Sequence, residues 1–513
     1  MLRDPVPSDA ESFVRERLRN RERSFVETLS RAVFSRPDHP YSVMFRIAGC
    51  EPGDLADQIR RDGLEATLLQ LRRAGVYLTH DEWKGATPIV RSGREIPHAL
   101  TDFRNPLING WVDSSSSGSS GSPVTTARPT ALYTHLSAYA MLRAKEFGVP
   151  GRAEIQMLPI LPFAGGLITT LRGHRIGLPV DRWFTEGSRL ADTHYRTATR
   201  ALIWIGNRLG ARAPYPVYLP HGDFSPAAAH LARSRGAGRS CVVYGFASAL
   251  VRVAAAALDK QLDISGTLFF CVGEALTAGK QNVFSRAGAR GVAGYMISEV
   301  GHIGFGCSAA RGDQMHLLQD TVALIAYRRP APYADDVEVN SLHFTTLLPY
   351  ASNIFVNIEV DDEGDVAPAT CDCVYSRLGL TTLVGHVTSF GKMSPQGMTF
   401  HGTDLVHVLE AALPARLGGG PGDYQLVECE GASGQTEIRL HVSPRIGVTD
   451  APLVRETFLD LMRSQWGGAL ATRLWINAGA VEIAFAEPIA TETGKVHSVR
   501  LLNAGGPRTT NRT

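Results

Sequence analysis

A run of serine and glycine at residues 114–122 is the part of the sequence best suited to bind an anion. Glycine accepts positive φ, so successive backbone N–H groups can face one point, and the hydroxyl groups add further donors. A concave set of donors is what a phosphate chain requires. The candidate phosphate-binding residues are Ser116, Ser117, Gly118, Ser119, Ser120 and Gly121.

Two other interpretations of this run are less favourable. Glycine and serine also make flexible linkers, but this run lies between two apolar segments of globular composition and ends in a Pro-Val-Thr-Thr sequence at 123–126. A Walker loop is excluded, because no Lys-Ser or Lys-Thr pair follows the glycines. Phosphate binding is therefore the preferred interpretation.

The composition limits the class of protein. A chain of 513 residues with 44% hydrophobic content can form a large core in two or more domains. The net charge of +2, without basic or acidic blocks, does not favour nucleic acid or a membrane surface as a partner. The sequence shows no apolar run of membrane-spanning length and no signal-peptide core at its start. Seven scattered cysteines do not form a disulfide framework, which favours a reducing cytoplasm.

Hydrophobic periodicity predicts the elements that must position these residues. Ser8 and Glu11 predict a capping box ahead of an amphipathic helix that extends to about Val33, and a second helix is predicted at 54–74. A helix is predicted at 131–147, after the serine run, so strand–loop–helix is the expected context. From there to about residue 300 short β-branched segments alternate with helices, which predicts an α/β domain with its active loops at the carboxyl ends of the strands. The predicted strands include 154–158, 240–243 and 267–272, and the predicted helices include 189–209 and 247–261.

Residues 116–123 resemble the phosphate loop of the adenylate-forming enzymes, which activate carboxylates with ATP. Val124 stands where a lysine usually follows the proline, as in the phenylacetate–coenzyme A ligase branch. Further motifs of this family follow in the same order along the chain. The resemblance therefore covers nearly the whole sequence.

The resemblance assigns roles to two of these motifs. Gly273 and Glu274 match a segment beside the adenine and acyl pocket. In the next motif Tyr295 corresponds to the aromatic platform for adenine, Ser298 to a hydroxyl for the α-phosphate, and Glu299 to a Mg²⁺ ligand. Met296 replaces the usual glycine of that motif.

The later motifs carry the ribose site, the hinge and a lysine. Residues 357–364 read first as a hairpin turn, and the resemblance adds that Asp362, with Asp361 as the fallback, holds the ribose hydroxyls. Lys392 corresponds to the arginine of the hinge, although Ser394 replaces the hinge aspartate. Lys495, in a Gly-Lys pair near the end of the chain, corresponds to the lysine that reaches the substrate carboxylate and the α-phosphate.

Four other residues have the types and spacing of a zinc site. Cys307, His316, Cys371 and Cys373 would supply three thiolates and one imidazole, a closed tetrahedral set typical of structural zinc. His302 is an alternative fourth ligand, and burial of all seven cysteines as hydrophobic residues remains the competing interpretation. Some relatives in the phenylacetate ligase branch carry a similar set.

The resemblance implies a fold and a reaction. The expected fold is α/β, with a large multi-subdomain domain over 1–391, a helical extension at about 1–80, and a small mobile α+β domain over 392–513. The expected reaction uses ATP and Mg²⁺ to convert a carboxylic acid to an acyl-adenylate and then transfers the acyl group to coenzyme A. Tyr133, Tyr244 and Phe246 lie near motifs that line the pocket, and they suggest an aromatic acid.

The sequence alone is compatible with several alternatives. The acceptor could be an amine, a hydroxyl or a carrier-protein thiol in secondary metabolism. A nucleotide-binding regulator without turnover, or a scaffold with a disordered serine run, belongs to a different class. The sequence leaves the oligomeric state open, a homodimer included.

Overall fold

The computed structural model describes residues 5–109, 111–115, 125–149, 151–161, 163–186, 193–220, 222–331, 334–389, 402–430, 436–463, 481–491 and 494–501. The α-helices are α1 Ala10–Leu29, α2 Pro40–Ile47, α3 Pro52–Asp62, α4 Leu64–Arg73, α5 His80–Lys84, α6 Thr130–Glu146, α7 Ala164–Gly173, α8 Thr193–Arg208, α9 Ser225–Gly236, α10 Ala247–Asp259, α11 Ala278–Arg286, α12 Val374–Leu378, α13 Gly402–His407, α14 Leu413–Leu417 and α15 Ala451–Arg463. Among these helices, none is both long and apolar enough to cross a membrane.

The strands are β1 Ile89–Arg91, β2 Arg94–Ile96, β3 Trp111–Ser115, β4 Thr125–Pro129, β5 Ala153–Met157, β6 Arg182–Glu186, β7 Pro216–Leu219, β8 Cys241–Phe246, β9 Leu268–Val272, β10 Arg290–Ile297, β11 Gly301–Phe305, β12 Met315–Leu317, β13 Val322–Ala331, β14 Ala334–Thr346, β15 Ile358–Pro368, β16 Thr382–Ser389, β17 Tyr424–Glu430, β18 Thr436–Val442, β19 Val481–Phe485 and β20 Val499–Leu501. Turns of π-helix occur at Ser30–Phe34 and Val408–Ala412, and 3₁₀ turns at Leu100–Phe103, His174–Ile176 and Pro444–Ile446.

A 12-stranded sheet runs through the large part of the molecule, in the order β13-β14-β15-β16-β12-β11-β10-β9-β8-β5-β6-β7. In this order, adjacent strands from β10 to β7 pair parallel, whereas adjacent strands from β13 to β10 pair antiparallel. Helices α9, α10 and α11 cover the parallel half through apolar side chains such as Leu231, Leu250 and Phe284. The predicted α/β fold class is confirmed.

The N-terminal helices differ in detail from the prediction. Asp9, not Ser8, caps α1, and its carboxylate accepts hydrogen bonds from the N–H groups of Glu11 at 2.9 Å and Ser12 at 3.3 Å. The predicted helix at 54–74 is two helices, α3 and α4, because Gly63 between them has a φ of +82°. A helix cannot continue through that left-handed conformation.

The helix predicted at 131–147 is α6, and a strand flanks the serine run on each side. Strand β4 lies between the run and α6. Strands β3 and β4 pair antiparallel, and Ser115 is the partner of Thr125. Ser115 and Thr125, the described residues on either side of the serine run, are therefore beside each other.

A separate four-stranded sheet, in the order β19-β18-β17-β20, forms the C-terminal part. It has its own core, in which Leu413, Tyr424, Leu440 and Phe458 are buried. The predicted boundary at 391/392 lies outside the described residues, and the two-domain division stays a prediction. We refer to residues from 402 onward as the C-terminal sheet unit.

One carboxylate of the main sheet should make stability depend on pH. Glu154 lies at the amino-terminal end of β5, and burial raises the pKa of Glu154 to about 7, with Arg143 opposing the shift and Asp181 adding to it. Because the pKa of Glu154 in the folded state is above the ordinary value of 4.5, the folded protein keeps this proton at pH values where the unfolded chain loses it. The free energy of unfolding therefore falls as the pH rises from 4.5 towards 7.

We expect Glu154→Gln to remove this loss. The variant should match the wild type at pH 4.5 and should be more stable at pH 8 by roughly 2 kcal/mol. Denaturant unfolding at the two pH values checks the prediction, with the exposed Glu22→Gln as the matched control. A constant difference between variant and wild type across pH would contradict it.

Candidate active site

Lys495 lies on a tight turn of the C-terminal sheet unit. The N–H of Thr491 donates to the carbonyl of Lys495 at 2.8 Å, and the N–H of Lys495 donates to the hydroxyl of Thr491 at 3.1 Å. Gly494 allows the turn through a φ of +84°, and its N–H donates to the carbonyl of Thr491 at 2.8 Å. The turn therefore fixes the backbone at Lys495.

This turn sits against the carboxyl ends of β8 and β9. The Nζ of Lys495 lies 4.8 Å from the centre of the Phe246 ring, at the end of β8. A Cβ added at Gly273, directly after β9, would lie 3.0 Å from that Nζ. The N–H of Val496 donates to the hydroxyl of Ser248 at 3.3 Å. Lys495 thus occupies the edge at which parallel sheets bind ligands.

Gly273 is required here for two separable reasons, backbone conformation and space. Its φ is +76°, and the space beside it holds the end of Lys495. We expect Gly273→Ala to displace Lys495 and to lower the rate of the reaction proposed below by about 10-fold. Gly266→Ala is the matched control, because Gly266 has the same φ of +76° but nothing within 4 Å of an added Cβ. Equal rates for the two variants would show that space beside Lys495 is not limiting.

Glu274, the second residue of the predicted Gly-Glu motif, caps a helix. Its carboxylate accepts hydrogen bonds from the N–H of Ser248 at 2.6 Å and from the Ser248 hydroxyl at 2.9 Å, in the first turn of α10. Burial raises the pKa of Glu274, although Lys280, Ser248 and Lys495 all oppose the shift. The carboxylate therefore fixes Ser248, which in turn holds Val496.

Tyr295 and Asp362 meet across the sheet. The Tyr295 hydroxyl, at a bulge in β10, donates to Asp362 Oδ2 at 2.5 Å. Burial and the Asp362 charge hold the pKa of Tyr295 well above its ordinary value. An aromatic ring and a carboxylate that the sequence separates by 67 residues are thus adjacent, as the nucleotide-site prediction requires.

The hairpin turn predicted at 357–364 is wrong. These residues continue into β15, and Asp362 pairs with Ser389 of β16. Asp361 has a φ of +60° within an irregular stretch of the strand, where its carboxylate lies 3.3 Å from the Nδ1 of His80. Aspartate can adopt a positive φ at a single position, so these residues form a distorted strand and not a reversal of the chain.

Strand register connects the two groups of residues. Gly294 of β10 pairs with Val272 of β9, so Tyr295 and Gly273 occupy the next positions on neighbouring parallel strands. Gly273, which lies beside Lys495, and Tyr295, which contacts Asp362, are therefore neighbours across the sheet.

Glu299, the predicted Mg²⁺ ligand, has a basic neighbour. Its carboxylate lies 3.3 Å from the Nζ of Lys84 in α5, and its backbone carbonyl accepts a hydrogen bond from Asn353 at 2.8 Å. Ser298, the predicted α-phosphate contact, directly precedes it and is partly buried. A carboxylate oxygen suits Mg²⁺, and the ammonium group beside it could also reach a phosphate.

The three predicted pocket residues fall into two places. Tyr244 and Phe246 lie on β8 in one apolar cluster with Leu158, Val272 and Phe163. Tyr133 lies on α6, where the guanidinium of Arg172 is 5.5 Å from its ring and also donates to its backbone carbonyl. Phe246 is thus beside Lys495, Tyr244 lies on the same strand with the guanidinium of Arg143 5.1 Å from its ring, and Tyr133 contacts Arg172.

Other predicted residues lie outside the described part of the chain. They are Ser116, Ser117, Gly118, Ser119, Ser120, Gly121 and Lys392. Their proposed roles stay predictions.

The four predicted zinc ligands converge. The Nε2 of His316 lies 3.2 Å from the Sγ of both Cys371 and Cys373, and the Sγ of Cys371 lies 3.9 Å from that of Cys307 and 3.7 Å from that of Cys373. A tetrahedral zinc ion places sulfur ligands about 3.8 Å apart. The Nδ1 of His316 lies 2.8 Å from the carbonyl of Leu380, which leaves Nε2 for a metal. The donor set therefore fits zinc.

Sequence reasoning missed three charged residues at this site. Lys84 contacts Glu299, and Lys280 of α11 pairs with Glu410 of the C-terminal sheet unit. Each contact joins residues more than 100 positions apart, and no motif accompanies any of the three. Only the fold brings them together.

Comparison with known proteins gives a structural likeness. The sequence matches no protein-family model and no curated protein. Among solved structures, 2-hydroxyisobutyryl-CoA ligase in the postadenylation state with R3-HIB-AMP is 14% identical, with a TM-score of 0.57 over 98% of this chain and 95% of that chain. The same ligase with 2-HIB-AMP is also 14% identical, with a TM-score of 0.56 over the same shares. The chain has the fold of the adenylate-forming enzymes.

Proposed function

We propose that this protein activates a carboxylic acid with ATP and transfers the acyl group to coenzyme A. The observation that carries the proposal is the position of Lys495. This residue belongs to the separate C-terminal sheet unit but lies at the carboxyl ends of β8 and β9, one strand from Tyr295, whose hydroxyl contacts Asp362. The likeness to a CoA ligase in the postadenylation state supports it at the level of fold.

In the first step a carboxylate oxygen attacks the α-phosphorus of ATP, the bond to the β-phosphate oxygen breaks, and pyrophosphate leaves. Negative charge grows on the oxygens around phosphorus, and Lys495 is placed to offset it. Tyr295 and Asp362 would hold the adenine and the ribose. In the second step the thiol of coenzyme A attacks the acyl carbon, AMP leaves, and the thiol proton is released.

Two metal ions fit the residues present. Glu299 offers a carboxylate to Mg²⁺, which would supply positive charge at the phosphates, and Lys84 beside it supports an anion site. Zn²⁺ would be held by Cys307, His316, Cys371 and Cys373. The role of this zinc ion would be structural, because four protein ligands leave no open coordination position for a substrate.

The chemical class of the acid and of the acceptor is the more specific part of the proposal. Phe246 beside Lys495, and Tyr244 in the same apolar cluster, support an aromatic acid, as expected for the phenylacetate–coenzyme A ligase branch. An amine, a hydroxyl or a carrier-protein thiol is the alternative acceptor. A cytoplasmic location, a homodimer and a role in secondary metabolism stay predictions.

A panel of acids tests the proposal. Aryl, arylacetic and short aliphatic acids are each incubated with ATP and Mg²⁺, with and without coenzyme A, and AMP and pyrophosphate release are measured. We expect release to depend on the acid and to be highest with aromatic acids plus coenzyme A. Binding of ATP without AMP release from any acid would instead favour a regulator without turnover.

A further inference from the structure

A buried ion pair joins the C-terminal sheet unit to the large sheet close to Lys495. The Nζ of Lys280, in α11, lies 3.3 Å from Oε1 of Glu410, and the two side chains are only 7% and 3% exposed. Lys280 also donates to the backbone carbonyl of Ala275 at 2.9 Å. Burial would lower the pKa of Lys280, but the charges of Glu410 and Glu274 outweigh it, and the pKa lies above its ordinary value.

Glu410 has further partners on both sides of this contact. The hydroxyl of Thr277, in the large part of the molecule, donates to Oε2, and the hydroxyl of Ser498 donates to Oε1. Ser498 follows Lys495 by three residues and leads into β20, which pairs with β17. One carboxylate therefore connects α11, the turn before it and the segment that carries Lys495.

The backbones of α11 and of the turn that carries Glu410 are too close together for an added side-chain atom between them. A Cβ added at Gly279, one residue before Lys280, would lie 2.7 Å from the backbone carbonyl of Glu410. Glu410 itself lies in the π-helical turn Val408–Ala412 rather than in a regular helix. A buried ion pair adds little net stability, yet loss of one partner leaves a buried charge unpaired, so such a pair favours one arrangement of its surroundings strongly over others.

We propose that Glu410 is a positioning residue, whose contacts with Lys280 and Thr277 set the placement of the C-terminal sheet unit in which Lys495 lies beside Gly273. This inference rests on the proposed function, because it assigns Glu410 to the adenylation step. Transfer from acyl-adenylate to an acceptor does not use Lys495 in the steps proposed above. Glu410 is therefore needed for the first step and not for the second.

Glu410→Gln tests this assignment, since it keeps the shape and removes the charge. We expect acid-dependent ATP–pyrophosphate exchange to fall about 10- to 100-fold, while transfer from supplied acyl-adenylate to coenzyme A stays within about twofold. Lys280→Gln should behave in the same way. The double variant Lys280→Met with Glu410→Leu should recover part of the exchange rate, because no unpaired buried charge remains. Glu482→Gln is the matched control, an exposed carboxylate of the same unit paired with Arg439.

Hydrogen exchange gives a readout that does not depend on activity. In Glu410→Gln the amides of α11 and of residues 494–501 should exchange faster, whereas those of β17 and β18 should keep the wild-type rate. Faster exchange throughout β17 and β18, with both half-reactions lowered equally, would show a role in folding only and overturn the proposal. If the wild type activates no acid, the proposed function fails, and unchanged exchange at α11 and 494–501 would separately refute the positioning role.

Discussion

Replacement of Lys495 by alanine should lower the rate of acid-dependent ATP–pyrophosphate exchange by about 10²- to 10³-fold, the usual loss when one preorganised charge is removed from a transition state. The turn from Thr491 to Lys495 and the packing of Val496 on Ser248 do not depend on the ammonium group. The fold should therefore survive. ATP affinity should change little, because Tyr295 and Asp362, which would hold the nucleoside, lie on the large sheet.

The control for this prediction is Lys260→Ala, which removes an exposed lysine just after α10 and should leave the exchange rate unchanged. Exchange and ATP binding by calorimetry are measured on the same preparations. Lys495→Arg should restore little activity, since a planar guanidinium does not fit the space beside Gly273 as a compact ammonium does. An exchange rate in Lys495→Ala close to that of the wild type would remove Lys495 from the mechanism.

The parallel half of the sheet was predictable from the sequence because its strands are buried on both faces. The strands predicted at 154–158, 240–243 and 267–272 correspond to β5, β8 and β9, whose side chains are almost all buried. Continuous apolar segments between helices are typical of such strands. Since the carboxyl ends of parallel strands share one edge, Phe246 and Gly273 could be expected to lie close together.

The antiparallel half was harder to predict from local signals. The acidic residues before Gly364 are typical of a reversal, yet β15 continues through them to Pro368, because its partners β14 and β16 extend alongside. Pairing across the sheet outweighed the turn preference of a few residues. The break at Gly63 was missed for the opposite reason: the apolar spacing continues across it, and only the positive φ of one glycine separates α3 from α4.

The contacts that define the candidate site are mostly long-range. Lys84 reaches Glu299 over 215 positions, and Glu410 meets Thr277 over 133. Neither Lys84 nor Glu410 belongs to a recognisable motif, so their neighbours were not predictable from spacing. The zinc cluster is the exception, because cysteine and histidine have few common roles and their convergence could be predicted from residue type alone.

Wild-type protein should contain one zinc ion per chain, and Cys373→Ser should lose it and unfold about 10 °C lower. The cluster ties the end of β11 to β12 and to the segment before α12, and Cys307 and Cys373 also pack with Val14 of α1 and Tyr139 of α6. A structural zinc ion contributes about 10–16 kcal/mol in isolated zinc-finger peptides, so even a fraction of this value would shift the midpoint measurably.

Cys50→Ser separates metal loss from the general effect of changing a buried thiol. Cys50 is buried in the core of the N-terminal helices, apart from the four-residue cluster, so this variant should keep its zinc. Metal content is measured by mass spectrometry after dialysis, and unfolding by calorimetry. Because a closed site has no place for substrate, chelation should lower stability before it lowers the exchange rate at a temperature well below the midpoint. Full zinc content in Cys373→Ser, or an unchanged midpoint after the metal is stripped, would mean that the four side chains are only buried neighbours.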